Sequence, residues 1–130
     1  MLAAIALSGA NAANMFVRPD GSDSKDGTSW ANAKLTIKKA LSAAGVGDTV
    51  FVAQGSYAAA ITLVDGKYIF GSYNPATGEQ DIDRYPTIIE GEAVGNRLIA
   101  SSKAFTNPTV IDGLVLQIAT HGHSGGGAAI

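Results

Sequence analysis

Short apolar runs rich in β-branched residues recur through most of the chain and are separated by turn-forming residues. The runs that begin at Val50, Tyr68, Thr87 and Val110 lie about 18 to 23 residues apart, a spacing typical of one turn of a β-solenoid. Because so short a unit cannot bury its apolar face alone, each run has to pair with its neighbours. The spacing therefore predicts a mostly β chain in which successive runs add equivalent strands to one parallel sheet.

One segment departs from this pattern and is typical of a helix. Between Lys34 and Ala44, apolar residues follow a helical spacing at Ile37, Ala40 and Leu41. Gly45 is a common type of residue just after a helix, and predicts the stop. A helix ahead of the strongest strand runs can cover the apolar open end of a stack of coils. We therefore predict one N-terminal capping helix.

Together these features predict a right-handed parallel β-helix with that helix at its N-terminal end. An antiparallel sandwich, which also has short strands and frequent turns, is the competing fold. The runs are apolar on consecutive residues, whereas a half-solvated sheet would alternate, and this favours the solenoid. Residues Ile88–Gly91 and Val110–Gly113 share an aliphatic-aliphatic-acid-glycine pattern, which predicts comparable places in successive coils.

Two segments also resemble a known family. The stretch Phe16–Ala31, with its Pro-Asp-Gly-Ser-Asp loop, and the stretch Gly47–Tyr57 after the helix resemble the N-terminal region of pectate-lyase-like β-helix proteins. The resemblance is greatest to polymorphic-outer-membrane-protein-type surface proteins of the Bacteroides type. It implies a cell-surface or outer-membrane location and an adhesin-type role. Such proteins continue for many coils, so we expect a piece of a longer stack, with an open end through which chains can associate.

The N-terminal residues have the features of an export signal. A short apolar stretch from Leu2 to Leu7 precedes the small-x-small sequence Ala10-Asn-Ala12. A basic segment before the apolar stretch is missing, and an Ala-rich buried helix is the alternative interpretation. We predict residues 1–13 as a signal-peptide remnant, too short to span a bilayer, and 14–130 as the cap and first coils. The protein is expected to be secreted or on the cell surface.

Composition excludes several other classes. The net charge of −2 gives no basic footprint for nucleic acid. Because there is no cysteine, neither a disulfide framework nor a thiolate metal site is possible. No cofactor is predicted, with calcium as the one alternative, since Asp20, Asp23 and Asp26 stand in a Gly/Ser-rich loop. Their spacing does not match an EF-hand, and Asx-turns explain the same residues. His121 and His123 lack a third metal ligand nearby in sequence.

No catalytic residue is predicted in this segment. The acidic stretch Glu79–Arg84 lies in a polar excursion between strands and is typical of a solvated loop. Tyr73 and Tyr85 flank that excursion and are the candidate carbohydrate-binding residues, with a glycan or host-surface ligand as partner. The predicted function is a structural, adhesin-type surface β-helix. The alternatives are the N-terminal part of a polysaccharide lyase or glycoside hydrolase, whose site the resemblance places on later coils, and a carbohydrate-binding module.

Overall fold

The computed structural model describes residues 13–58, 61–92, 98–101 and 103–119. In chain order the elements of this part are β1 (Asn14–Val17), α1 (Ile37–Ala43), β2 (Thr49–Ala53), β3 (Gly55–Tyr57), β4 (Ile61–Thr62), β5 (Tyr68–Tyr73), β6 (Thr87–Glu92), β7 (Ile99–Ala100), β8 (Val110–Asp112) and β9 (Leu114–Ala119). The prediction of a mostly β chain is confirmed. The predicted signal-peptide remnant lies outside the described residues except for Ala13, and no described helix is long and apolar enough to cross a membrane.

The strands form three parallel sheets. Sheet A has the order β1-β2-β5-β8, sheet B the order β3-β6-β9, and sheet C consists of β4 and β7. Every pairing between these strands is parallel. From β2 onward the chain visits sheets A, B and C in turn, repeats that order from β5, and begins it again at β8. Each visit adds one strand to the growing edge of its sheet. We call one passage of the chain through the sheets a layer, so that β1 belongs to the first layer.

The core lies between the sheets and is built from side chains in register. In sheet A, Met15 pairs with Val50, Val50 with Ile69, and Ile69 with Ile111. The first three of these side chains are buried, and Val50 is fully so. Such columns arise because parallel in-register pairing places equivalent side chains of successive layers directly against one another.

The helix α1 occupies the part of the first layer where later layers have strands of sheets B and C. It lies between β1 and β2 in the chain and contacts β1, β2 and β4. The Thr36 hydroxyl accepts the Lys39 backbone N–H at 3.2 Å, which caps the first turn. Its apolar face, Ile37, Ala40 and Leu41, is buried in the core. The predicted helix is thus confirmed, and it begins three residues later than Lys34.

The predicted stop at Gly45 is confirmed in position, since Gly45 directly follows the C-cap Ala44. Ala44 already leaves the helix in an extended conformation, so Gly45 does not act as a left-handed stop. Instead, the Gly45 N–H donates to the Asp48 carboxylate at 2.7 Å. The ammonium of Lys67, which is almost fully buried, donates to the Leu41 carbonyl in the last turn. Of these two contacts, the one from Lys67 supplies a donor, and a positive charge, to a carbonyl at the C-terminal end of the helix.

Two predictions about strand equivalence were also wrong. The Thr87 run lies in sheet B, whereas the Val50, Tyr68 and Val110 runs lie in sheet A. Consequently the patterns Ile88–Gly91 and Val110–Gly113 occupy different sheets. The run that begins at Val110 is divided at Gly113, whose φ of 72° turns the chain from sheet A into sheet B. The chain also passes from sheet A to sheet B between β2 and the short strand β3.

A second turn is fixed by the Asp65 carboxylate, which joins the β4–β5 turn to the loop before β8. It accepts hydrogen bonds from the backbone N–H groups of Thr106 and Asn107 and from both of their side chains, at 2.7 to 3.0 Å. These bonds, with the Thr106 hydroxyl contributing most, lower the pKa of Asp65 from 3.8 to about 2. The carboxylate therefore binds its partners as an anion.

This pKa predicts how the stability conferred by Asp65 depends on pH. Because the folded-state pKa is depressed, the contribution is complete above about pH 4 and is lost as the pH falls toward 2. The melting temperature of Asp65→Asn should lie below that of the wild type at pH 6, and the two should converge near pH 2. Thermal unfolding followed by circular dichroism measures both. A constant gap across this range would show that the carboxylate charge is not responsible.

The burial of α1 predicts a large cost for truncating its apolar face. Leu41 is 3% exposed, so Leu41→Ala should lower the free energy of unfolding by about 2–5 kcal/mol. Lys38→Ala, on the exposed side of the same helix, is the matched control and should change it by less than about 0.5 kcal/mol. Urea unfolding of both variants compares them. Equal effects would mean that the helix does not close the core.

Candidate functional site

The outer face of sheet A carries a row of aromatic side chains. Parallel register aligns Phe16 with Phe51, and Phe51 with Phe70. Their neighbours on each strand point into the core, so the three rings lie on the opposite, solvent-facing side. Asp112 follows Phe70 in the same register and continues the row with a carboxylate.

Two further rings enlarge this row into a patch. Trp30 packs against Phe16 with ring centroids 4.8 Å apart and planes at 64°. Tyr73 meets Phe51 edge-to-face at 5.2 Å and lies 6.1 Å from Trp30. We call Phe16, Trp30, Phe51, Phe70 and Tyr73 the aromatic patch. All five side chains are partly exposed, so together they form a continuous apolar surface.

The loop that precedes α1 positions Trp30. Its backbone runs along the free edge of β1, where the Phe16 N–H donates to the Gly27 carbonyl at 2.8 Å and the Phe16 carbonyl accepts from Lys34 at 2.9 Å. Arg18 also donates a side-chain hydrogen bond to the Trp30 carbonyl. The loop is thus held at several points, and Trp30 is fixed against the first ring of the row.

A strained residue positions Tyr73. Ser72 has a φ of 66°, in the left-handed region that residues other than glycine rarely adopt. Two buried hydrogen bonds of 2.7 Å hold it there: its N–H donates to the Thr87 hydroxyl, and its own hydroxyl donates to the Gly113 carbonyl. The register of β2 and β5 shifts at this point, so that Ala53 pairs with Tyr73. The shift places the Tyr73 ring beside Phe51.

Polar groups border the patch at both ends. Near Tyr73, the Gln80 side-chain amide donates to the Gly71 carbonyl at 3.0 Å and to the Asp112 carboxylate at 3.3 Å. Partial burial raises the pKa of the Tyr73 phenol, and the charge of Asp112 adds to this effect. At the other end the Arg18 guanidinium binds both oxygens of Asp20, at 2.9 and 3.0 Å.

This arrangement suits binding of a ligand that has both apolar and hydroxyl-bearing surfaces. Phe16 and Phe51 stack face to face, with planes at 24°, and so largely occupy each other's faces. Trp30 and Tyr73 lie at the border and combine a ring with a polar N–H or O–H group. The Tyr73 hydroxyl, with its raised pKa, stays protonated at neutral pH and is able to donate a hydrogen bond.

The structure separates the two tyrosines that the sequence singled out. Tyr73 belongs to the aromatic patch, whereas Tyr85 makes none of the ring contacts found there. Instead, the Tyr85 hydroxyl lies 3.4 Å from a Glu79 carboxylate oxygen, and the Arg84 guanidinium lies 5.1 Å above the ring centroid. Sequence reasoning missed the row formed by Phe16, Phe51 and Phe70. The available signal was a phenylalanine directly after an aliphatic residue in each of these three strands.

The three loop aspartates each bind different protein donors. Asp20 pairs with Arg18, and Asp26 accepts the Thr28 N–H and hydroxyl, which lower its pKa. Asp23 accepts the backbone N–H groups of Leu35 and Thr36 and the Thr36 hydroxyl. Burial raises the pKa of Asp23, but these hydrogen bonds outweigh it and leave the pKa lowered. In the part of the chain that the structure describes, no three acidic or histidine side chains cluster as a metal site.

Lys67 and Arg84 make separate structural contacts. Lys67 donates to the end of α1, and Arg84 pairs with Glu79 at 3.5 Å within the exposed acidic loop. Arg97, His121 and His123 lie outside the described residues. A site that neutralises a substrate carboxylate needs convergent donors, and the described residues do not form one.

Comparison with known proteins found no match: no family model, no curated protein and no solved structure resembles this chain closely enough to be assigned. The resemblance to pectate-lyase-like β-helix proteins therefore stays a prediction.

The ring contacts of the patch predict unequal costs for two similar substitutions. Phe51 contacts three rings, those of Phe16, Phe70 and Tyr73, whereas Phe70 contacts the Phe51 ring alone. Each aromatic pair contributes about 0.5–1.5 kcal/mol beyond burial, so Phe51→Leu should destabilise the protein by about 1–3 kcal/mol more than Phe70→Leu. Chemical denaturation of the two variants gives the difference. Equal losses would mean that the rings contribute only through buried area.

Proposed function

We propose that this chain is the capped beginning of a secreted or cell-surface right-handed parallel β-helix with a structural, adhesin-type role. The observation that carries the proposal is the repeated order in which the chain visits its three parallel sheets. A chain that adds one strand to each of three sheets per layer, and pairs each layer in register with the last, follows the path of a solenoid. Crossovers between parallel strands of one sheet are almost always right-handed, which supports the proposed hand.

The first layer supports the same proposal. In it α1 replaces the strands of sheets B and C, and the Trp30 loop covers the free edge of β1. Terminal units of repeat proteins need such a cover, because an open edge recruits other strands. At the opposite end, Leu116 continues the column formed by Tyr57 and Ile89 but is 51% exposed. This apolar end supports the proposal that a further layer, or another copy of the chain, packs there.

We further propose that the aromatic patch provides the adhesive contact and that its partner is a glycan. Sugar rings present apolar C–H faces as well as hydroxyl groups, and the patch offers aromatic rings bordered by Gln80 and Asp112. Four of its rings lie on paired strands, and the fifth, Trp30, lies on a loop held by hydrogen bonds, so little ordering is required on binding. A contiguous group of partly exposed aromatic rings on a solvent-facing sheet favours a binding role.

A polysaccharide lyase or glycoside hydrolase is the less favoured class for this segment. Proton abstraction beside a carboxylate requires a base and a cation at one place. Lys67 and Arg84 are instead engaged in separate structural contacts. The described geometry therefore supports binding without bond cleavage.

Surface display and glycan binding can be tested together. Antibodies raised against the protein should label intact cells of the native host, with a cytoplasmic protein as the unlabelled control. Purified protein should bind at least one glycan on an array, and Trp30→Ala should weaken that binding by up to about tenfold, given that stacking on one ring contributes about 0.5–1.5 kcal/mol. Tyr85→Ala, outside the patch, is the matched control and should bind normally.

Two results would contradict this proposal. Labelling only after the cells are permeabilised would exclude a surface role. Equal glycan binding by Trp30→Ala and wild type would exclude the aromatic patch as the contact. Release of unsaturated sugar products by the wild type, lost on substitution of Arg84, would instead favour the lyase.

A further inference from the structure

Among the described residues, the buried Asp48 carboxylate has no side-chain cation within ion-pair distance. The residue is 9% exposed, and one carboxylate oxygen accepts the Gly45 N–H while the other accepts the backbone N–H of Ala13, each at 2.7 Å. The ion pairs among the described residues are Arg18–Asp20 and Arg84–Glu79, and neither involves Asp48.

A carboxylate in this position is expected to have a positive partner. Removing a charge from water is costly, and a buried carboxylate without a counter-charge is rarely maintained. Two backbone N–H groups supply partial positive charge only. The second of these groups, the nitrogen of Ala13, is the one whose charge depends on the covalent state of the chain.

Ala13 directly follows the small-x-small sequence Ala10-Asn-Ala12, which is the pattern recognised by signal peptidases on the amino side of the bond they cut. We propose that the chain is cleaved between Ala12 and Ala13, one residue before the predicted boundary after residue 13, and that Asp48 binds the α-ammonium group that this cleavage creates. The proposal rests on the export proposed above. It makes Asp48 a specific binding site for the processed N-terminus.

The chemistry of the step is a hydrolysis. Water adds its oxygen to the Ala12 carbonyl carbon as that carbon's bond to the Ala13 nitrogen breaks, and Ala12 becomes the carboxyl terminus of the released peptide. The departing nitrogen gains a proton as the amine forms and a second proton from solvent, because an α-amine has a pKa of about 8 and is mostly charged at neutral pH. The Ala13–Asp48 contact thereby changes from an amide hydrogen bond to an ion pair.

The backbone around Ala13 supports a docked terminus. The Thr49 N–H donates to the Ala13 carbonyl at 3.1 Å, so adjacent residues 48 and 49 hold both the nitrogen and the carbonyl of Ala13. The next residue, Asn14, begins β1 and pairs with Thr49. A charged nitrogen at this position would therefore fix the start of the first strand against the second.

The first measurement is the N-terminus of the protein exported by its native host, read by intact mass and by terminal sequencing. We expect a chain that begins at Ala13. Retention of Met1 would overturn both the export proposal and the docking proposal. A chain that begins elsewhere would leave export standing and overturn the docking proposal.

The second measurement is the reactivity of the α-amine in the exported protein. At about pH 7 an acetylating reagent modifies α-amines ahead of lysines, whose pKa is about 10.4. Acetylation of Ala13 should be about tenfold slower in the native protein than in urea, since a hydrogen-bonded ion pair protects it. Asp48→Asn should remove that protection. Asp81→Asn, which alters a carboxylate that also accepts two backbone N–H groups, should preserve it.

Acetylation itself supplies a readout if Asp48→Asn does not fold. The acetylated wild-type protein should melt at a lower temperature than the free-amine form, because the charge opposite Asp48 is lost. An Ala13 amine that reacts equally fast in the native and unfolded protein, or an unchanged melting temperature after acetylation, would overturn the docking proposal while export stands.

Discussion

The free edge of the first strand is the constraint on which the rest of this structure depends. A parallel stack can satisfy the backbone groups of every inner strand, but its first strand has no preceding layer. Here the loop before α1 accepts and donates the hydrogen bonds of Phe16 and Arg18, and α1 covers the core where two strands are missing. The charged side chains at this end serve the same closure: Asp23 binds the N–H groups ahead of the helix, and Lys67 binds a carbonyl at its end.

Because the parallel strands pair in register, inward-facing and outward-facing residues of one strand align with those of the strand in the next layer. The inward columns give a continuous core, and by the same geometry the residues between them form continuous rows outside. The aromatic patch is a product of this second effect, because Phe16, Phe51 and Phe70 are distant in sequence and adjacent in space. Its border depends on irregularities: the loop that supplies Trp30 and the strained Ser72 that turns Tyr73 toward the row. Regular pairing aligns the three phenylalanine rings, and the irregular segments add Trp30 and Tyr73, with their polar N–H and O–H groups, at the border.

The sequence contained enough information for the class of fold and too little for the assignment of strands to sheets. Helical spacing located α1, and the apolar runs located most strands, because both depend on local patterns of burial. The Thr87 run was placed in the wrong sheet because a 13-residue polar excursion, 74–86, separates it from β5, and run spacing alone does not show where the chain bends. Tyr73 was identified from its place beside that excursion, but its ring partners depend on register, which spacing could not supply.

Asp48 connects the end of α1 to the start of the first strand. It follows the helix, precedes β2, and accepts N–H groups from both Gly45 and Ala13. With an uncleaved chain, the nitrogen of Ala13 offers Asp48 a single amide proton, and neither ion pair among the described residues includes Asp48. With the cleaved chain proposed above, the same atom carries the compensating charge. The first layer would then reach its full stability only after the leader has been removed.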